Sequence, residues 1–219
     1  MDLASQLQRE LRIEASEGED GASPEVALAV ATQQFLAGKR VDMQILALEV
    51  GVGRATLYRW FGDREKLIGQ VLWNLSRQAL VWLAEQSEPG DTEHALDTIE
   101  AFMRVTSEFA PLQRFLAAEP TLALRALLEP DAPLVVALGD WAADRLTAAG
   151  YGQPPGPAPR ELAEVMVSVT STYCWARIIA GGQADVDSAM RAVRVLLRSE
   201  YRHETGEFRN TRVRDGVRA

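Results

Sequence analysis

The chain has 219 residues, 47% of them hydrophobic and 25% charged, with a net charge of −8. This is enough apolar material for a real core, and the negative sign excludes a protein that coats nucleic acid along its whole surface. No apolar run reaches bilayer length, the first twenty residues carry acids where a signal peptide carries positive charge, and Cys174 is the one cysteine. A cytoplasmic protein with no membrane partner and no intrachain disulfide is therefore expected.

Residues 1–22 are polar, acidic over 14–20, and read as a mobile arm with a helix near 3–11. Ser23 and Pro24 then form a helix start, an N-cap followed by proline at the first helical position. The helix runs to about residue 36 with Val26, Ala27, Val30, Ala31 and Phe35 inward, and Gly38 ends it. Asp42 caps a short helix over 43–50, broken by Gly51. Gly53 opens a third helix over 54–60, ended by Phe61 and Gly62. Asp63 caps a long fourth helix to about residue 86, on which Leu67, Ile68, Val71, Leu72, Leu75, Leu80 and Leu83 recur at helical spacing. A break at 87–91 follows. Helices are then predicted over 92–110, stopped by Pro111, over 111–118 and 122–128, separated by Glu119 and Pro120, and over 133–149. Residues 150–159 are the most irregular stretch. Two strong helices, 160–180 and 186–201, are joined by 181–184, and the tail from 205 is polar. No strand and no repeat emerges, so the fold class is all-α. The organisation is an arm (1–22), a small helical domain (23–70), a larger one (71–204) and a tail (205–219).

The informative stretch is 38–66. It holds six basic residues (Lys39, Arg40, Arg54, Arg59, Arg64, Lys66) against four acids (Asp42, Glu49, Asp63, Glu65), a local excess of two positive charges in an acidic chain. Two short helices joined by a glycine turn, the second rich in donors, follow the helix-turn-helix plan. Ala47 is small where the helices cross, Gly51 supplies a backbone conformation side chains resist, and Val52 plugs the space between them. Leu57 and Phe61 face the small core. That leaves Arg54, Ala55, Thr56, Tyr58, Arg59 and Trp60 available to a partner, a face too polar for core and too aromatic for a bland solvated surface.

Residues 47–61, ALEVGVGRATLYRWF, with DREKL at 63–67, resemble the DNA-binding domain of TetR-family repressors, a resemblance covering about residues 24–75. Gly53 replaces the usual serine at the recognition-helix N-cap and Arg64 the usual lysine at the start of the fourth helix; both changes are tolerable. The resemblance implies that Arg54 and Ala55 face base edges, Arg54 bidentate to a guanine. It implies that Thr56 and Tyr58 meet phosphates or thymine methyls, that Arg59 meets bases or backbone, and that Gln44, Trp60 and Arg64 hold the phosphate backbone. Packing within the small domain is the alternative for Trp60, and less so for Tyr58.

The family also implies a larger helical domain that binds a small effector, and a homodimer through the last two long helices, whose two recognition helices read a palindromic operator. Met166, Val167, Val169, Ile178 and Ile179, with Met190, Val193, Leu196 and Leu197, supply apolar faces for that pairing or for the chain's own core. Phe102, Met103, Phe115, Trp141, Tyr173 and Cys174 are the candidate effector-pocket residues, with Trp73, Phe109 and Trp175 beside them and Tyr173 and His94 as polar contacts; plain core is the alternative for each. Cys174 reads as a packing residue, since no activating neighbour is visible. Residues 41–44 with 54–60 further resemble an actinobacterial branch of the family that controls degradation of lactone quorum signals, which implies a lactone or acyl-chain ligand. Ligand binding is then expected to tilt the fourth helix and move the recognition helices apart.

Two other classes stay in view. An all-α enzyme is disfavoured: the two histidines, His94 and His203, are far apart, and there is no metal spacing, nucleophile elbow or phosphate loop. No cofactor, metal or catalytic residue is expected. An interaction protein whose helix-turn-helix has lost DNA binding would lack donors on the third helix, yet Arg54, Thr56, Tyr58 and Arg59 are present.

Overall fold

The structure, a computed structural model, describes residues 22–85, 92–151 and 157–204. Within them every regular element is helical, as the apolar spacing requires. The expectations for residues 1–21, the break at 87–91, residues 152–156 of the 150–159 loop and the tail from 205 lie outside the described residues.

Local capping chemistry sets the first four helices. Helix α1 is Pro24–Leu36, and its N-cap Ser23 Oγ accepts the Val26 amide at 3.2 Å. Ala27, Ala31 and Phe35 are buried, whereas Val26 and Val30 are only half-buried. Helix α2 is Met43–Val50. Asp42 accepts the Gln44 and Ile45 amides at 2.8 and 3.2 Å, and those two backbone donors hold its carboxyl below its usual pKa. Gly51, at φ +74°, ends α2 in the left-handed conformation that favours glycine. Helix α3 is Arg54–Phe61, one residue longer than predicted. Helix α4 is Arg64–Glu85, with the Lys66 amide on Asp63 at 2.8 Å.

The middle helices are α5 (Thr92–Ser107), α6 (Ala110–Ala118), α7 (Pro120–Leu128) and α8 (Pro133–Ala148). Here two sequence expectations change. Helix α5 already ends at Ser107, and Pro111 does not stop it but lies in the first turn of α6, which Ala110 opens. Pro120 opens α7 instead of separating two helices. In both places the missing proline N–H falls in the first turn, where no intrahelical acceptor awaits it. Helix α9 (Pro159–Ser171) continues through a π-helical turn, Thr172–Ala176, into a last turn, Arg177–Ile179. Helix α10 is Val186–Glu204, with the Ser188 amide on Asp185 at 3.1 Å.

Helix α4 is the spine. It packs against α1 on one side and α5, α7 and α8 on the other, while α9 lies along α8 and against α10. One connected hydrophobic cluster runs from Ala27 to Leu197. The expected domain boundary at 70/71 therefore falls inside a continuous helix that serves both halves. At Gly69, α4 comes so close to α8 that a Cβ would stand 2.9 Å from Pro133 Cδ.

Candidate functional site

The α2–α3 unit is assembled from its buried side outward. Ala47 is buried where α2 and α3 meet, and the turn closes through Val52 N–H to the Ala47 carbonyl at 2.9 Å. Leu57 and Phe61, fully buried, anchor α3 to the small core. Gln34 donates to Glu49 at 2.8 Å and ties α1 to α2. With those anchors set, helical geometry turns Arg54, Ala55, Tyr58 and Arg59 outward together. Tyr58 is 44% exposed, far more than a packing tyrosine. Gln44, on α2, is exposed; Thr56 is half-buried. Trp60 is half-buried against the core, its ring edge-on to Phe61 at 6.5 Å, so packing is part of its role.

Arg64 is placed differently from the rest. Its guanidinium donates twice to Glu119, at 2.6 and 2.7 Å, and once to the Val41 carbonyl at 2.5 Å. It clamps the start of α4 to the α6–α7 junction and is not among the exposed donors. The same arginine holds the Glu119 carboxyl below its usual pKa. Sequence reasoning passed over two apolar residues of this face: Ile45 and Leu48 on α2 are 52% and 81% exposed. The signal was available, since the period that buries Met43, Leu46 and Ala47 must turn Ile45 and Leu48 out.

The second candidate site is a cavity of about 50 Å³ between α4, α5, α8 and α9. Of the candidate pocket residues, Phe102, Met103, Trp141 and Cys174 line it. Phe115 does not: its ring packs on Phe35 at 5.6 Å, between α1 and α6. Tyr173 is absent from the lining too, and its carbonyl accepts the Asp185 amide at 3.0 Å. Trp73 and Phe109 lie elsewhere, Trp175 joins the wall, and the side chain of His94 is outside the described residues. The aliphatic wall (Leu80, Leu138, Met166, Val167) was not foreseen, because nothing in a sequence separates such residues from ordinary core. The π-helical turn re-phases α9 so that Cys174 and Trp175 are buried side by side and both reach the cavity. Burial, with Asp185 adding to it, pushes the Cys174 thiol up to about 11, so it stays neutral at pH 7 and packs. Thr170 and Ser171 are the polar groups of the wall.

Of the apolar residues expected to pair with a second chain, Met166, Val167, Met190, Val193 and Leu197 are buried within this one. The others expected there, Val169, Ile178, Ile179 and Leu196, are half-buried, while Val165 and Val195, which were not among them, are 47% and 67% exposed. Among the described residues no group of His, Cys, Asp or Glu is placed to hold a metal, and no helix is long and apolar enough to cross a membrane.

Residues 92–198 match a family model described as the tetracyclin repressor-like C-terminal domain. A solved structure of the R. erythropolis transcriptional repressor QsdR, from the TetR family, is similar to this chain with a TM-score of 0.73. The two are 26% identical, and the match covers 80% of this chain and 94% of that one. No curated protein matches the chain in sequence.

Proposed function

We propose that this chain, a member of the TetR family of transcriptional regulators, is a cytoplasmic repressor that binds a palindromic operator as a homodimer and is released by a small apolar ligand. The observation that carries the reading is the outward row Arg54, Ala55, Tyr58 and Arg59 on a helix pinned by buried Leu57 and Phe61. In this reading Arg54 reads a guanine edge, Ala55 and Leu48 meet thymine methyls, and Thr56, Tyr58 and Gln44 hold phosphates. Arg59 serves bases or backbone, and Trp60 braces the helix from its packed position. Arg64 reaches a phosphate only when its pair with Glu119 opens. Two copies pair through α9 and α10, with Val165, Val169 and Val195 at the seam. Reading two half-sites one turn of DNA apart requires that pairing to hold the recognition helices about 34–36 Å apart.

The effector enters the cavity between α4 and α9. At about 50 Å³ that cavity is far below the ~300–1,000 Å³ of ordinary ligand sites. In this reading a ligand must spread its walls. Leu80, on the α4 wall, sits on the same continuous helix as Arg64, so spreading the walls tilts α4 and swings α3. A ligand shifts this balance only by its preference for the open state. The lining is apolar, with Thr170 and Ser171 as polar groups, which suits the lactone with an acyl chain that the branch resemblance implies. Mobility-shift titration on the DNA flanking the protein's own gene, with acyl lactones added, tests this. Release by a lactone in wild type, lost in Cys174→Trp, which fills the cavity, is expected. Release that survives Cys174→Trp places the ligand elsewhere.

A further inference from the structure

A second, larger hollow lies between the halves of the molecule. It is an open cleft of about 1120 Å³ bounded by the α1–α2 loop, the first turn of α4 and the α6–α7 junction. In a chain of net charge −8, five cations line it: Lys39, Arg40, Arg64, Arg114 and Arg125. Two carboxylates answer them, and both are engaged. Glu119 takes the Arg64 fork and stands 3.7 Å from Arg40, while Glu65 is 3.3 Å from Arg125. Lys39 and Arg114 have no carboxylate partner among the described residues.

Arg114 is nonetheless placed. Its guanidinium lies over Gly38, where a Cβ would stand 2.5 Å from Nε, and Gly38 sits at φ +71°. Glycine at that corner both ends α1 and lets the arginine lie flat across the cleft. Planar guanidinium forks match phosphate oxygens two at a time, and a recess between low-dielectric walls concentrates their field. The floor, with Phe35, Ile68 and Phe115, leaves room for an attached body.

We propose that this interdomain cleft binds a small phosphate-bearing anion, held by Lys39, Arg40 and Arg114, with Arg64 joining as its fork trades Glu119 for the ligand. Arg64 is the one residue the site shares with the operator reading; Lys39, Arg40 and Arg114 belong neither to that reading nor to the apolar cavity. Its binding is measured without DNA, so its failure and the failure of the operator reading are distinguishable.

The test is calorimetric titration of the full chain with pyrophosphate at fixed ionic strength, with citrate as the carboxylate comparison. One saturable site per chain, with a Kd below about 1 mM, is expected. An Arg40→Gln, Arg114→Gln variant, both exposed positions, should weaken it at least about tenfold, given the strength of charge-assisted forks. Glu119→Gln should tighten it several-fold by freeing Arg64 and removing a competing anion. An Arg54→Ala, Arg59→Ala variant should bind pyrophosphate as wild type does. No saturable binding, loss in the Arg54, Arg59 variant, no effect of the Arg40, Arg114 variant, or no tightening in Glu119→Gln would each overturn the proposal. Citrate binding as tightly as pyrophosphate would overturn its phosphate specificity. Loss of operator affinity in the Arg40, Arg114 variant, with pyrophosphate binding intact, would reassign the cleft to the DNA backbone.

Discussion

Replacing Gly69 with alanine probes the contact on which the whole assembly turns. The added Cβ would stand 2.9, 3.0 and 3.1 Å from Cδ, Cγ and Cβ of Pro133. Carbon atoms pack at about 3.5–4.0 Å, so a gap of more than half an ångström has to open. The proline ring cannot swing aside, because it opens α8 and is fixed by that helix. Helix α4 or α8 must move instead. Overpacking of this kind costs about 1–3 kcal/mol. Against it stands the gain of alanine over glycine inside a helix, about 0.8–1.0 kcal/mol. The net expectation is a loss of up to about 2 kcal/mol, which for a chain of this size lowers Tm by up to about 8 °C. Thermal melts of wild type, Gly69→Ala, Pro133→Ala and the double variant measure it as a cycle. Removing the ring should restore most of what Gly69→Ala loses. A Tm that rises with Gly69→Ala alone, or a cycle with no coupling, would refute the close approach of α4 to α8.

Three further outcomes follow from the same packing and charges. Leu57→Ala, at a fully buried anchor of α3, should cost about 2–5 kcal/mol, read as a lower denaturant midpoint and as lost operator binding. Asp42→Ala should cost about 1 kcal/mol through the cap; because the carboxyl is held below 3.8, the wild-type advantage should persist above that pH and fade as pH falls through the depressed value. The Arg64–Glu119 clamp behaves alike: Glu119 is held below 4.5, so its stabilisation is complete above pH 4.5 and is lost on further acidification. Arg64→Gln should flatten that part of the pH–stability curve, and an unchanged curve would remove the clamp from the account.

Legibility in the sequence followed the range of the interaction. Ser23, Asp42, Gly51 and Asp63 act on amides or backbone within three residues, so the first four helices were readable to within a residue or two. Pro111 and Pro120 were ambiguous because proline both ends one helix and begins the next; only the fold shows which. The outward row on α3 was readable because Leu57 and Phe61 announce the inner face. The partner of Arg64 was not, since Glu119 lies 55 residues away. Nor was the cavity wall: the aromatics Phe102 and Trp141 drew notice, while Leu80, Leu138 and Met166 look like any core residues. Phe115 and Tyr173 were chosen on residue type, and packing assigned Phe115 to Phe35 and left Tyr173 off the cavity wall. The π-helical turn at Thr172–Ala176 has no sequence signature at all.

The most direct test of the central claim is the affinity of the purified protein for the DNA flanking its own gene, measured over a range of salt concentrations beside an Arg54→Ala, Tyr58→Ala double variant. Both positions are exposed, so the variant should fold as the wild type does. The account predicts tight binding that depends on a palindrome, weakens steeply with salt as phosphate contacts release counterions, and is lost in the variant. Binding that is weak, equal on any sequence and unchanged by the two substitutions would contradict it.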